Sequence, residues 1–368
     1  EVTASTGGQL MPPIMGAAAF LMAEFMGVAY IEVVKAAAIP AVLYFTGIWI
    51  GVHLEAKKHG LKGVPRSELP KFKELFFERG HLALPLIGIL YLLVAGYSPT
   101  RAALAAILLA IIASFLRKST RMKPIEIVQG LEKGAKGVLG VMIACASAGI
   151  IIGIVTKTGV GLKLAGALID LAGGMLLPAM FFTMVTSIIL GMGVPTTANY
   201  VITSTIAAPA LIQMGVPLMA AHMFVFYFGI IADVTPPVAL AAFAGAGISG
   251  GNPMKTGVTA SKLAIAAFVI PYIFVLSPAL LMINTTPLEL AWAFATSIIG
   301  MIGLGTAMIG YFLAPANIIM RVAAFVGGIT LIIPGFYSDR VCFGLVGGVL
   351  FMQMAKRKRM YAQAKVAE

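Results

Sequence analysis

Apolar residues run through this chain in long, nearly uninterrupted blocks. Blocks at Val33–Val52, Leu82–Tyr97, Ala102–Phe115, Val138–Val155, Leu176–Leu190 and Pro217–Ile231 are followed by others near 260–283, 290–312, 317–335 and 341–354. A helix that crosses a bilayer needs about 20 mostly apolar residues, so these blocks predict spans, the first carrying Pro40 in its interior. Shorter pieces lie between them. Met11–Tyr30 opens on Pro12-Pro13 and is rich in small residues, which predicts a broken or half-length helix. Residues 159–174, 196–213 (closed by Pro209) and 238–248 are likewise too short to cross alone.

Two stretches change character. Residues 53–80, with LPKFKELFFERGHL, mix charge and apolar side chains and predict an interfacial segment with some amphipathic helix. Residues 122–137 place Ile125, Ile127, Val128 and Leu131 at helical spacing. A short surface helix linking two moving parts and a plain connector both suit them.

Composition supports the bilayer. The chain has 368 residues, 60% hydrophobic and only 11% charged, where a soluble domain carries about 25%; its mean hydropathy is +0.99. The net charge of +12 is not a nucleic-acid footprint, because the basic residues flank spans. They cluster at Lys57–Lys73, at Arg117–Lys123 and at Lys356–Arg359, the distribution of the positive-inside rule. Both outer ends of the 82–115 hairpin are thereby placed in the cytoplasm. Cys145 and Cys342 sit alone in apolar runs and form no metal or redox motif.

The strongest internal signal is a repeat. GQLMPPIMGAA (8–18) carries the double proline Pro12-Pro13, and ADVTPPVALAA (232–242) carries Pro236-Pro237. Each pair is preceded by polar residues and followed by small ones. Interrupted segments in corresponding halves point to a transporter site. Carbonyls freed by a proline pair suit Na⁺, and helix N-termini suit an anion. A plain kink at each pair is the alternative. GMGVPTTANYVITSTIAAPA (191–210) adds Thr196, Thr197 and Asn199, then Thr203, Ser204 and Thr205. Hydroxyls at this density are costly in an apolar chain unless bonded back to the helix or holding a ligand. A re-entrant hairpin fits 193–213.

Other ionisable residues are few. Glu24 and Lys35 suit either a pair or interfacial snorkelling, Asp170 lies in a short apolar run, and His222 is a lone histidine opening a span. No HExxH or GxxxxGK[ST] is present, which argues against a zinc hydrolase and an ATP-driven pump. An internal repeat of broken helices argues against a channel.

The strings STGGQLMPPIMGAAAFLMAEF (5–25), GMGVPTTANYVITSTIAAPAL (191–211) and HMFVFYFGIIADVTPPVALAAFAGAGISGGNP (222–253) resemble the large membrane subunit of tripartite ATP-independent periplasmic (TRAP) transporters, most closely the type fused to its small subunit. The resemblance covers roughly residues 1–285. It implies an all-α polytopic inner-membrane protein with an inverted repeat, re-entrant hairpins and broken helices, importing an organic acid such as a C4-dicarboxylate by Na⁺ symport and an elevator motion. An extracytoplasmic binding protein, of the TAXI type, delivers the substrate; the alternative is another ion-coupled transporter, or a channel, without one. No cofactor is implied beyond the coupling ion.

Carried onto this chain, the resemblance implies Na⁺ ligands at Ser5, Thr6 and Gly8, with Gly7 and Gln9 beside them, and at Gly193, Thr197 and Asp233. It implies substrate contacts at Gln9, Pro12, Thr196, Asn199, Thr235 and Pro236. Asp233 departs from the neutral residue of many members; it also suits a cap on the half-helix beginning at Pro236. The implied organisation is the end of a first-repeat hairpin and broken helix (1–30), scaffold spans with cytoplasmic amphipathic segments (31–137), a second repeat (138–285), a three-span extension (286–355) and a basic tail (356–368). The first repeat lacks its hairpin here, which leads us to expect an N-terminally truncated chain whose missing half belongs to the same permease.

Overall fold

The structure is a computed structural model that describes residues 1–13, 15–330 and 335–367. Among the described residues the regular elements are helical. They begin with α1 (Val2–Gly7), α2 (Ala17–Met26) and α3 (Tyr30–Lys58). Next come α4 (Phe72–Arg79), the hairpin α5 (Leu84–Val94) and α6 (Pro99–Phe115), and then α7 (Pro124–Thr158), α8 (Val160–Leu171) and α9 (Leu176–Gly191). They are followed by α10 (Thr196–Ile206), α11 (Ala208–Gln213), α12 (Leu218–Ile231), α13 (Leu240–Ser249), α14 (Pro253–Leu263) and α15 (Ile265–Leu276). The chain ends in α16 (Pro287–Ile309), α17 (Ile318–Thr330) and α18 (Phe336–Ala367). Residues 331–334 of the span expected at 317–335 lie outside the described residues.

Five helical stretches are long and apolar enough to cross a membrane: Tyr30–Lys58, Lys73–Val94, Pro124–Thr158, Pro253–Leu276 and Pro287–Ile309. At 1.5 Å per residue, α3 is about 43 Å long, more than the roughly 30 Å hydrocarbon core requires. Pro40 lies inside it without ending it.

Two expectations change. The amphipathic stretch expected to stop at residue 137 continues without a break into the following span as α7. No proline or left-handed residue stands between Pro124 and the terminal Gly159, whose φ is +66°. Pro209 does not close the 196–213 piece. It sits in the first turn of α11, where its missing N–H breaks no helical bond.

The core forms around α12. Every residue from Ala220 to Ile231 is buried, so this helix is enclosed by its neighbours on all sides. α9, α10 and α15 pack directly on it. Phe224 and Phe228 meet Tyr272 of α15 edge-on, with centroids 5.5 and 6.0 Å apart. α3 packs on α15 and α16, and α16 in turn on α17. By contrast α5, α6 and α7 expose Leu86, Ile87, Leu104, Leu108, Met142, Ile143, Ile150 and Ile154, as lipid-facing helices do.

Candidate site at the paired proline breaks

The double-proline segments share a backbone path. Both Pro12–Pro13 and Pro236–Pro237 are cis. Three residues after each first proline the chain enters the left-handed region, at Met15 (φ 54°) and Ala239 (φ 37°), so the repeat seen in the prolines extends to the backbone turn that follows them. In each case a helix precedes the break (α1 ending at Gly7, α12 at Ile231) and a ten-residue helix follows (α2, α13). A left-handed turn redirects the chain, so each segment joins a helix C-terminus to a new helix N-terminus. Those ends carry opposite partial charges.

The structure packs the two segments into one region. Val2 of α1 lies against Gly245 of α13, where an added Cβ would be 3.9 Å from the Cβ of Val2. The Thr3 hydroxyl donates to the Ala260 carbonyl of α14 at 3.1 Å, and the Tyr44 hydroxyl of α3 donates to the Thr3 carbonyl at 2.7 Å. α1 also rests on the 3-10 turn Ala232–Val234. Tyr30 of α3 donates to the Pro13 carbonyl at 2.9 Å and stacks on Phe20. Before the second proline pair, the Val234 carbonyl accepts from the Ser261 hydroxyl of α14 at 3.0 Å.

The hairpin α10–α11 completes the region. Gly193, at φ +76°, turns the chain from α9 into α10 and lies beside Val238. Thr196 and Thr197 form the first turn of α10. Asn199 is buried between two glycines: a Cβ at Gly191 would fall 2.5 Å, and one at Gly229 2.8 Å, from its Nδ2. That Nδ2 donates to the Gly229 carbonyl at 2.7 Å, while Oδ1 is buried without a partner. Phe25 of α2 stacks on Tyr200 of α10 at 6.0 Å, and Tyr200 hydrogen-bonds His222 of α12 at 2.7 Å.

The residues singled out in the sequence are distributed as follows. Gly193, Thr196, Thr197, Asn199, Asp233, Thr235 and Pro236 border the junction of α9, α10, α12 and α13. The Thr235 hydroxyl donates back to the Ile231 carbonyl at 2.8 Å, and Pro236 packs on Gly257 of α14. Ser5, Thr6, Gly8, Gln9 and Pro12 line the α1–α2 connection. Ser5 and Gly8 are exposed, and the Thr6 hydroxyl donates to the Val2 carbonyl at 2.9 Å. Gln9 Oε1 is buried without a partner, and its carbonyl accepts from Gly16 at 3.1 Å. The Thr203, Ser204 and Thr205 hydroxyls all return to backbone carbonyls, the helix-bonded alternative. Lys35 pairs with Glu32, 2.9 Å away, rather than with Glu24. A cavity of about 520 Å³ opens beside Val2 and Thr3, between α13 and α14; none of the singled-out residues lines it.

Four features of this site were not singled out: the glycine socket at 191 and 229, the left-handed residues 15 and 239, the Tyr200–His222 bond, and the tyrosines that hold α1 and Pro13. The lone Gly229 inside MFVFYFGII is the signal that points to the first.

A family model described as "Tripartite ATP-independent periplasmic transporter, DctM component" matches residues 1–288. The chain belongs to this family. It is a multi-pass membrane protein of a TRAP secondary transporter, in a family whose large component works with a periplasmic binding protein and a small membrane component. Comparison with curated proteins gives no match. The family match ends in the first turn of α16, so most of α16 and all of α17 and α18 lie beyond it.

Proposed function

We propose that this chain is the permease of a Na⁺-coupled TRAP importer of organic acids in the cytoplasmic membrane, moving its cargo by an elevator motion. The observation that carries the reading is the pair of proline-broken segments, one from each repeat, that meet beside one hairpin. Such sites bind ions at unwound carbonyls and anions at half-helix N-termini. Here the N-termini of α2, α10 and α13 follow Gly16, Pro195 and Ala239. A substrate carboxylate placed among them meets backbone N–H groups and the positive ends of three dipoles.

The roles divide by chemistry. Ser5, Thr6 and Gly8 form one Na⁺ position, and Gly193, Thr197 and Asp233 the other. Among the described residues no three His, Cys, Asp or Glu side chains gather; a hard cation held by hydroxyl and carbonyl oxygens needs no such cluster. A Thr6 hydroxyl whose proton goes to Val2 still offers lone pairs to a cation. Gln9, Pro12, Thr196, Asn199, Thr235 and Pro236 contact the substrate. The Asn199 amide nitrogen is committed to Gly229, so its unpartnered Oδ1 is left to accept from a hydroxyl of the substrate and not to meet its carboxylate. In this reading the permease is of the fused kind and its soluble partner is a TAXI-type binding protein.

The test is uptake by the complete permease in proteoliposomes, supplied with its binding protein and a radiolabelled organic acid. An inward Na⁺ gradient drives accumulation, and replacing Na⁺ by K⁺ or choline brings it to background. Uptake that ignores the replacement rejects the coupling.

A further inference from the structure

A second cavity, of about 530 Å³, lies where α15 turns into α16, away from the proline breaks. Its chemistry is one-sided. Glu289 is the only charged residue between Lys262 and Arg321 and, among the described residues, the only charged one lining the cavity. Its carboxylate is held at the rim, with Oε2 accepting from the Thr286 amide at 3.0 Å and the Thr285 hydroxyl at 3.2 Å. The amide that precedes α16 is therefore already served by this chain's own carboxylate, and the Glu289 amide by the Thr286 hydroxyl at 3.3 Å, which disfavours a second anion. α15 ends against the same cavity at Leu276 and Ser277, and a helix C-terminus adds partial negative charge.

The remaining lining explains what sort of cation fits. Trp292 stands one turn along the α16 face from Glu289, and an indole face attracts ammonium groups. The deeper walls are apolar, with Ile273 and Ile283. A tryptophan near the end of a span, as Trp292 is in α16, marks the bilayer interface. The cavity lies at the end of the three-helix extension opposite the basic tail. At the tail's end Arg321 donates to the Ala307 carbonyl at 2.8 Å and Lys356 to the Pro315 carbonyl at 2.7 Å. Gly335, between α17 and α18, lines the cavity at the other end.

We infer that this cavity seats an alkylammonium group carried on an apolar body, with the cation between Glu289 and Trp292 and the apolar part along Ile273 and Ile283. Two sources share this chemistry: the ethanolamine head group of a membrane lipid and a free amphipathic amine.

The chain has two tryptophans, so Trp49→Phe leaves Trp292 as its sole reporter. In nanodiscs, a phosphatidylethanolamine spin-labelled near the head group quenches Trp292 about fivefold more efficiently than the matched phosphatidylglycerol. Glu289→Gln removes that preference. Because Glu289 also caps α16, Ala293→Phe is the companion variant; it fills the cavity, leaves the cap intact and removes the preference as well. If the source is a free amine, a brominated dodecylammonium added to pure phosphatidylglycerol discs quenches Trp292 in the same variant-dependent way, and the lipids do not differ. Equal quenching by both lipids, with amine quenching that Glu289→Gln and Ala293→Phe leave unchanged, overturns the inference.

Discussion

Asn199 shows how closely one side chain is fitted at the breaks. Its amide lies in a socket of two glycines, and its Nδ2 satisfies a carbonyl of Gly229 in the last turns of α12, near the α12 break. A Cβ at residue 229 has no space while Asn199 is present. Gly229→Ala is therefore expected to cost about 1–3 kcal/mol through overpacking, read as a lower thermal midpoint in detergent. Adding Asn199→Ala makes room and recovers most of the loss, although the Gly229 carbonyl then lacks its donor. If the double variant is no better than the single one, the socket is not the cause. At this scale the sequence was only partly legible. The density of hydroxyls singled out the right stretch, but it did not tell Thr203, Ser204 and Thr205, which bond to their own helix, from Asn199, which reaches across to Gly229 on another. That distinction depends on which neighbour lacks a Cβ.

Helices were the more legible units, since a block of apolar residues and a proline pair each have a direct structural meaning. The span containing Pro40, the half-length α2 and α13, and α16 are where the apolar pattern places them, whereas α18 starts ahead of its apolar block and runs on through the basic tail to Ala367. α7 was divided wrongly because a change from amphipathic to apolar composition marks the edge of the membrane, not the end of a helix. Glycines in these helices also have two different meanings. Nothing lies within 4 Å of a Cβ at Gly134 on α7, whereas one at Gly328 on α17 would stand 2.7 Å from Leu304 Cγ and 2.9 Å from the Gly300 carbonyl. Gly134→Ala is expected to hold or raise the thermal midpoint, gaining about 0.5–1 kcal/mol from helix propensity. Gly328→Ala forces α16 and α17 apart and lowers it. Equal effects of the two would show that propensity, not close packing, sets the cost at both.

For the molecule as a whole, the repeat was readable from the matching proline pairs at 12–13 and 236–237, but its packing was not. No pattern in the sequence indicates that Val2 of one proline segment touches Gly245 of the other, or that α12 is enclosed on all sides. This contact bears on the elevator reading, in which both proline segments belong to one moving body. The alternative is a rocking motion in which each repeat moves against the other and the α1–α13 contact opens in every cycle. A Cβ at residue 245 would lie 3.9 Å from that of Val2, within the range a disulfide accepts. With Cys145 and Cys342 replaced by alanine, the pair Val2→Cys and Gly245→Cys is expected to oxidise readily in the full permease. If the two segments travel together, the bond ties parts that never separate, and Na⁺-driven uptake before and after reduction agrees within about twofold. If they move apart, oxidation stops uptake and a reductant restores it. The second result would reject the single moving body while leaving the two proline breaks as the binding site, because it concerns how they move and not what they hold.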